Sequence, residues 1–208
     1  MNSSANPARR FALFVATLLC LTTAGCGSLI GPSNPPAQIY RLSPELASPT
    51  AGPTLRWQLA VARPSTSRTL DSDRIALLRG AVMDYYADAQ WNDSVPRLLQ
   101  SLLVEAFDRS GRIQAASTDS NLRADYTLTT EVRDFEAQYD APNTAPTVVI
   151  DIETKLFDPR GQVIASMDSR QTARATQDSL AGVVAAFDQA MGAALARIVG
   201  WTLETTPH

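Results

Sequence analysis

Two hydrophobic periods take turns along this chain. Leu55 to Val61 alternates apolar and polar residues, placing Leu55, Trp57, Leu59 and Val61 on one face of a half-buried strand. Arg63 to Ser67 breaks that pattern. Arg74 to Leu78 and Ala81 to Tyr86 predict two short strands around Arg79-Gly80. The period then changes. Val95, Leu98, Leu99, Leu102, Leu103, Ala106 and Phe107 recur at three- and four-residue spacing, which buries one face of a helix. Asn92-Asp93-Ser94 offers capping side chains, Pro96 suits only a first turn, and Gly111 is the expected stop.

Three longer alternating runs follow, at Tyr126 to Tyr139, Thr147 to Phe157 and Gln162 to Thr172. In the first, Tyr126, Leu128, Thr130 and Val132 share a face, and the apolar phase then flips to Phe135, Ala137 and Tyr139. A flip inside one strand predicts a bulge near Asp134. In the second, Val148, Ile150, Ile152, Thr154 and Leu156 point inward, and Asp151, Glu153 and Lys155 outward. Asp158-Pro159-Arg160-Gly161 predicts the hairpin turn joining the second and third runs. A last helix is expected from about Asp178 to Val199, with Thr176 as a candidate cap and Gly200 as its end. Its stripe is Leu180, Val183, Val184, Phe187, Met191, Leu195 and Ile198. Small residues from Ala181 to Ala194 keep it slim enough to approach a sheet closely. Strands, helix, antiparallel meander and helix predict an α/β domain in the α+β range, with a mixed, largely antiparallel sheet and two main helices.

The N-terminal region behaves differently. Gly27 to Pro53 holds six of the thirteen prolines and buries little apolar surface, as an extended tether would. Gln38 to Leu42 interrupts it with an alternating pattern, and neighbouring prolines suit an edge strand. Met1 to Arg10 is polar with Arg9 and Arg10, Phe11 to Leu21 is almost wholly apolar, and small residues precede Cys26. That order belongs to a secretory signal. The apolar run, about a dozen residues, is too short for the ~20 of a spanning helix. The expected layout is a signal over 1–25, an anchor and tether over 26–53, one globular domain over 54–203 and a disordered tail over 204–208.

Leu21-Thr22-Thr23-Ala24-Gly25-Cys26 resembles a bacterial lipoprotein signal. The resemblance implies that Cys26 becomes the first mature residue and carries diacylglycerol on sulfur and an acyl chain on its amine. Thr23 stands where the usual motif has Leu, and cleavage after Ala24 to give a soluble secreted protein is the alternative. Gly27, in place of an Asp, favours the outer membrane over the inner one under the enteric sorting rule. Loss of Arg9 and Arg10 takes the net charge from −3 to −5. A mildly acidic chain suits neither nucleic acid nor anionic lipid, so the membrane is to be met through the lipid. With Cys20 discarded and Cys26 acylated, no disulfide is expected.

Candidate chemistry is sparse. The one histidine is His208, the last residue, which argues against His-based triads and zinc sites. No Gly-rich phosphate loop occurs. Asp151 and Glu153 lie two apart on one strand face and could do acid–base work, but a solvated face with cross-strand ion pairs is the better reading. Asp71-Ser72-Asp73 lacks the Gly and distal Glu of a calcium loop. No cofactor is expected beyond the covalent lipid. Tyr85, Tyr86 and Trp91 form an aromatic cluster before the capped helix. Exposed, they would anchor a partner; buried, they would close the core over the helix.

Several stretches together resemble the ABC-type transport auxiliary lipoproteins. They are Ile39-Tyr40-Arg41-Leu42 after a proline-rich stretch, Arg74 to Leu78, Tyr85 to Trp91, the helix Leu98 to Phe107 ending at Ser110-Gly111, Ala124 to Leu128, the Asp-Pro-Arg-Gly hairpin and the Ala-rich last helix. The resemblance implies a non-enzymatic envelope lipoprotein that partners an ABC permease and ATPase and an MCE-type substrate-binding protein, which move lipids or other hydrophobic molecules. It implies a three-layer α/β sandwich similar to anticodon-binding-like domains. It supplies no catalytic residue, and only Cys26 carries over as a site. The alternative is a periplasmic lipid carrier, with room beside the small-residue helix Ala181 to Ala194, or an outer-membrane assembly lipoprotein working without an ABC transporter; whether the chain forms a homo-oligomer is left open.

Overall fold

The computed structural model describes residues 36–46, 52–117 and 124–206. Nine strands and two helices follow one another within them: β1 Gln38–Tyr40, β2 Gln58–Val61, β3 Ser65–Thr66, β4 Arg74–Arg79, β5 Val82–Trp91, α1 Val95–Arg109, β6 Gln114–Ser117, β7 Tyr126–Tyr139, β8 Thr147–Phe157, β9 Val163–Arg174 and α2 Leu180–Thr205. Both sequence periods are therefore realised, in the expected order.

β7 organises the sheet because it is long enough to use both edges. One edge takes β8 antiparallel, from Thr127 opposite Phe157 to Gln138 opposite Thr147. β9 extends that side, antiparallel to β8. Along the other edge three strands dock in turn, all parallel: β2 at Tyr126 to Leu128, β3 at Glu131 and Val132, and β4 at Ala137 to Tyr139. β6 adds to β2, while β5 and then β1 add to β4. The sheet is thus mixed and mostly antiparallel by paired length. The bulge falls where the flip of phase predicts it: pairing jumps between Val132 and Asp134 and leaves Arg133 extra. The hairpin turn also forms, with Gly161 at φ 76 and Asp158 Oδ1 accepting from the amides of Arg160 and Gln162.

Apolar rows of the sheet meet the helices in one core. Leu128, Val132, Phe135, Ile150, Ile152 and Leu156 are buried from the strands, and Leu99, Leu103, Phe107, Phe187, Met191 and Ile198 from the helices. α2 packs on β8 and β9, α1 on β6 and β2, and the two helices touch each other. The layers among the described residues are the sheet and this helix pair. α2 is apolar enough in length and composition to cross a membrane. Its burial against the sheet accounts for that composition.

Several boundaries need correction. The compact unit begins at Ala37, not at residue 54. β1 pairs with Ala89 to Trp91 of β5, so the alternation at Gln38 to Leu42 joins the domain. The tail expected from residue 204 is helical to Thr205, and Thr206 is buried. Gly200 does not stop α2, because the stripe continues through Val199, Thr202 and Leu203. A helical Gly costs about 1 kcal/mol, and burying an aliphatic side chain returns about 1.5–3 kcal/mol. Ser179 caps α2 in place of Thr176, accepting from the Gly182 amide at 3.2 Å. β6 and β3 have no counterpart in the sequence reading. Gln-Ala-Ala-Ser has little strand character, and a two-residue strand is too short for any periodicity.

Candidate functional site

Cys26 lies outside the described residues. The aromatic cluster lies inside them, and the fold separates its members. Trp91 is fully buried, edge-on to Phe187 at 5.1 Å and to Phe135 at 6.1 Å. It is packed into the core, the second of the two readings the sequence leaves open, and is not exposed as an anchor. Alternation along β5 sends Tyr85 and Tyr86 to opposite faces. Tyr85 is partly buried, donates from its hydroxyl to Thr69 O at 2.9 Å and lies under the Arg74 guanidinium at 3.7 Å.

Tyr86 enters a polar chain that the sequence reading missed. Its hydroxyl lies 2.8 Å from the Tyr139 hydroxyl, which donates to Asp178 Oδ1 at 2.9 Å. Tyr139 has one proton, so its oxygen accepts from Tyr86. Arg79 stacks over the Tyr139 ring at 4.9 Å. These residues come from β5, β7, the end of β4 and the approach to α2. No local motif links them. Burial pushes both phenols above their ordinary value, and for Tyr86 the bond to Tyr139 adds to the rise. Both phenols stay protonated at neutral pH and offer hydrogen bonds, not bases. A groove of about 440 Å³ opens beside it, lined by Arg79, Tyr139, Asp140, Asn143 and Asp178 among others.

The outward carboxylates are ion-paired, although Asp151 Oδ1 is buried with no hydrogen-bond partner among the described residues. Glu153 meets Arg133 at 2.8 Å and Lys155 at 3.1 Å, and Arg133 reaches Asp168 at 3.0 Å. Asp151 meets Arg170 at 2.8 Å, and Arg170 also holds Asp134. Lys155 and Arg133 hold the Glu153 carboxyl below its ordinary value. A carboxylate so paired makes a poor acid or base. Among the described residues no group of three or more His, Cys, Asp or Glu could hold a metal. Nor is the slim face of α2 vacant: Ala186, Ala190 and Ala194 are buried in the core.

A second surface lies over the helices. Arg41–Leu46 runs across them, with a groove of about 470 Å³ between it and α1 and another of about 590 Å³ toward α2. Both grooves carry charged and polar rims.

The profile of the family described as "ABC-type transport auxiliary lipoprotein component" matches residues 40–199. The chain belongs to this auxiliary lipoprotein family. The matched span runs from the end of β1 through most of α2, so it covers nearly all of the core described above. Protein XCC0632 from Xanthomonas campestris, a crystal structure, is similar at 34% identity with a TM-score of 0.75, over 81% of this chain and 96% of that one. A second crystal structure, of an uncharacterized protein, shares the fold at 19% identity and a TM-score of 0.63, over 81% of this chain and 99% of the other. The Bradyrhizobium diazoefficiens protein bll6063 is 30% identical over 183 residues, 86% of this chain and 49% of its own length. The chain thus spans about half the length of that curated relative. The family's description ties its members to ABC-type transport.

Proposed function

We propose that this protein is a lipid-anchored, non-enzymatic auxiliary component of an ABC-type system that moves lipids or other hydrophobic molecules. Cys26 carries the diacylglycerol and N-acyl chains, the outer membrane holds the anchor, and the domain contacts an ABC permease and ATPase and an MCE-type binding protein. The family match over residues 40–199 carries the reading. The paired state of Asp151 and Glu153 and the protonated tyrosine chain support a role without catalysis. Two measurements test it. Wild type should take up labelled palmitate and fractionate with outer membranes, whereas Cys26→Ala should do neither; a soluble wild type would refute the anchor. Gentle cross-linking should recover the ABC components, and their absence would refute the partnership.

A further inference from the structure

Arg41–Leu46 leaves β1 without regular structure and is nevertheless held at several points. Leu42 is 3% exposed and belongs to the core. The Ser43 amide donates to Asp188 Oδ1 of α2 at 2.6 Å. Glu45 O approaches α2 so closely that a Cβ on Gly192 would lie 2.9 Å from it. Leu46 packs on the core from the far side of that contact. Just before the segment, Tyr40 O accepts from the Asn92 amide at the entrance to α1. Glycine at 192 is therefore required by a close backbone approach and not by flexibility of the helix.

We propose that Arg41–Leu46, together with β1, is a strap that sets the working length of the membrane tether. This rests on the lipid at Cys26. A domain starting at Thr54 would leave 28 residue steps from Cys26, a reach of roughly 95 Å when extended. With Gln38 fixed in the sheet, 12 steps remain. Whatever their conformation, they span no more than roughly 43 Å. The strapped domain works close to the bilayer that anchors it, and its partners must come into that layer. Releasing β1 and the strap would about double the reach. The device is suited to release: β1 holds β5 through three residue pairs only, and open grooves flank the strap on both sides.

The test uses the full lipidated protein in phosphatidylethanolamine and phosphatidylglycerol vesicles. Hydrogen exchange at the Ser43 amide should run at least tenfold slower than in a free chain, and Asp188→Ala should remove most of that protection. Exchange at free-chain rates in wild type would overturn the proposal. A donor dye on Ser166→Cys, with acceptor in the lipid headgroups, reads the height of the domain. Ten Gly/Ser residues inserted after Ser28 should lower energy transfer, whereas the same insertion after Ala47 should leave it unchanged. Equal effects from both insertions, or no effect from either, would overturn the proposal. Lack of labelled palmitate at Cys26 would instead refute the anchor, and the exchange experiment would still report whether the strap is docked.

Discussion

The inward and outward rows of β7 and β8 share one backbone and differ in everything else. Inward, Leu128, Val132, Phe135, Ile150 and Ile152 are dry; β8 packs on α2, and Phe135 meets its Phe187. Outward, Arg133, Asp134, Asp151, Glu153 and Lys155, with Arg170 of β9, form ion pairs whose cations are half exposed. The inward row is where stability resides, because burial scales with area, while exposed ion pairs are screened and worth about 0–1 kcal/mol. The outward row keeps an open sheet face soluble. Its last positions break the contrast. Glu136 is 2% exposed, beside the buried Val149 across the ladder. It accepts from the Phe135 amide at 2.7 Å and from Gln138 Nε2 at 2.9 Å. The bulge turns the backbone just before it, and this carboxylate satisfies an amide next to the disturbed ladder.

Substitutions along these rows should grade accordingly. Phe187→Ala removes the ring that lies tilted against Phe135 at 4.9 Å and edge-on to Trp91. It should cost about 3–5 kcal/mol in urea unfolding; a loss under about 1 kcal/mol would mean that the inward row is not the stabilising one. Glu136→Ala leaves a buried amide without its partner and should cost about 1–3 kcal/mol. Arg170→Ala should cost no more than about 1 kcal/mol, and a larger loss would put the outward ion pairs on a par with the core.

Acidity separates the same two groups by sign. Burial raises the Glu136 carboxyl above its ordinary 4.5. The folded state therefore takes its proton more readily than the unfolded chain. Its contribution is complete below pH 4.5 and is lost as pH rises through the raised value. Glu153 is lowered by Lys155 and Arg133, so its contribution is present above pH 4.5 and is lost as pH falls through the lowered value. Glu136→Gln should flatten the decline of stability on the alkaline side of pH 4.5, and Glu153→Gln should not. Smallest of all on stability should be Cys26→Ala, which is expected to leave the urea midpoint unchanged while abolishing membrane retention.

Periodicity revealed the parts of the fold that are periodic. The stripe of α1, the alternation of β8 and the change of phase at Asp134 were readable because each repeats a burial rule over ten residues or more. Gln114–Ser117 and Ser65–Thr66 were not, being too short or too weakly strand-forming. The extension of β5 to Trp91 runs through Asp88, whose positive φ of 53 is a kink that no local pattern announces. The polar chain of Tyr86, Tyr139 and Asp178 and the strap bond from Ser43 to Asp188 were also illegible. Each joins residues far apart in sequence, and neither leaves a local pattern. Trp91 shows the reverse limit. An aromatic next to a helix cap reads equally well as a partner anchor or as core, and only the packing of Phe135 and Phe187 around it decides.

The proposed function has this domain held at a membrane beside an ABC transporter. Cross-linking in intact cells, followed by purification of wild type and of Cys26→Ala from the same envelope preparation, tests it most directly. An ABC permease or ATPase recovered with wild type and lost with Cys26→Ala is the predicted result. Recovery of neither component with wild type would contradict the account.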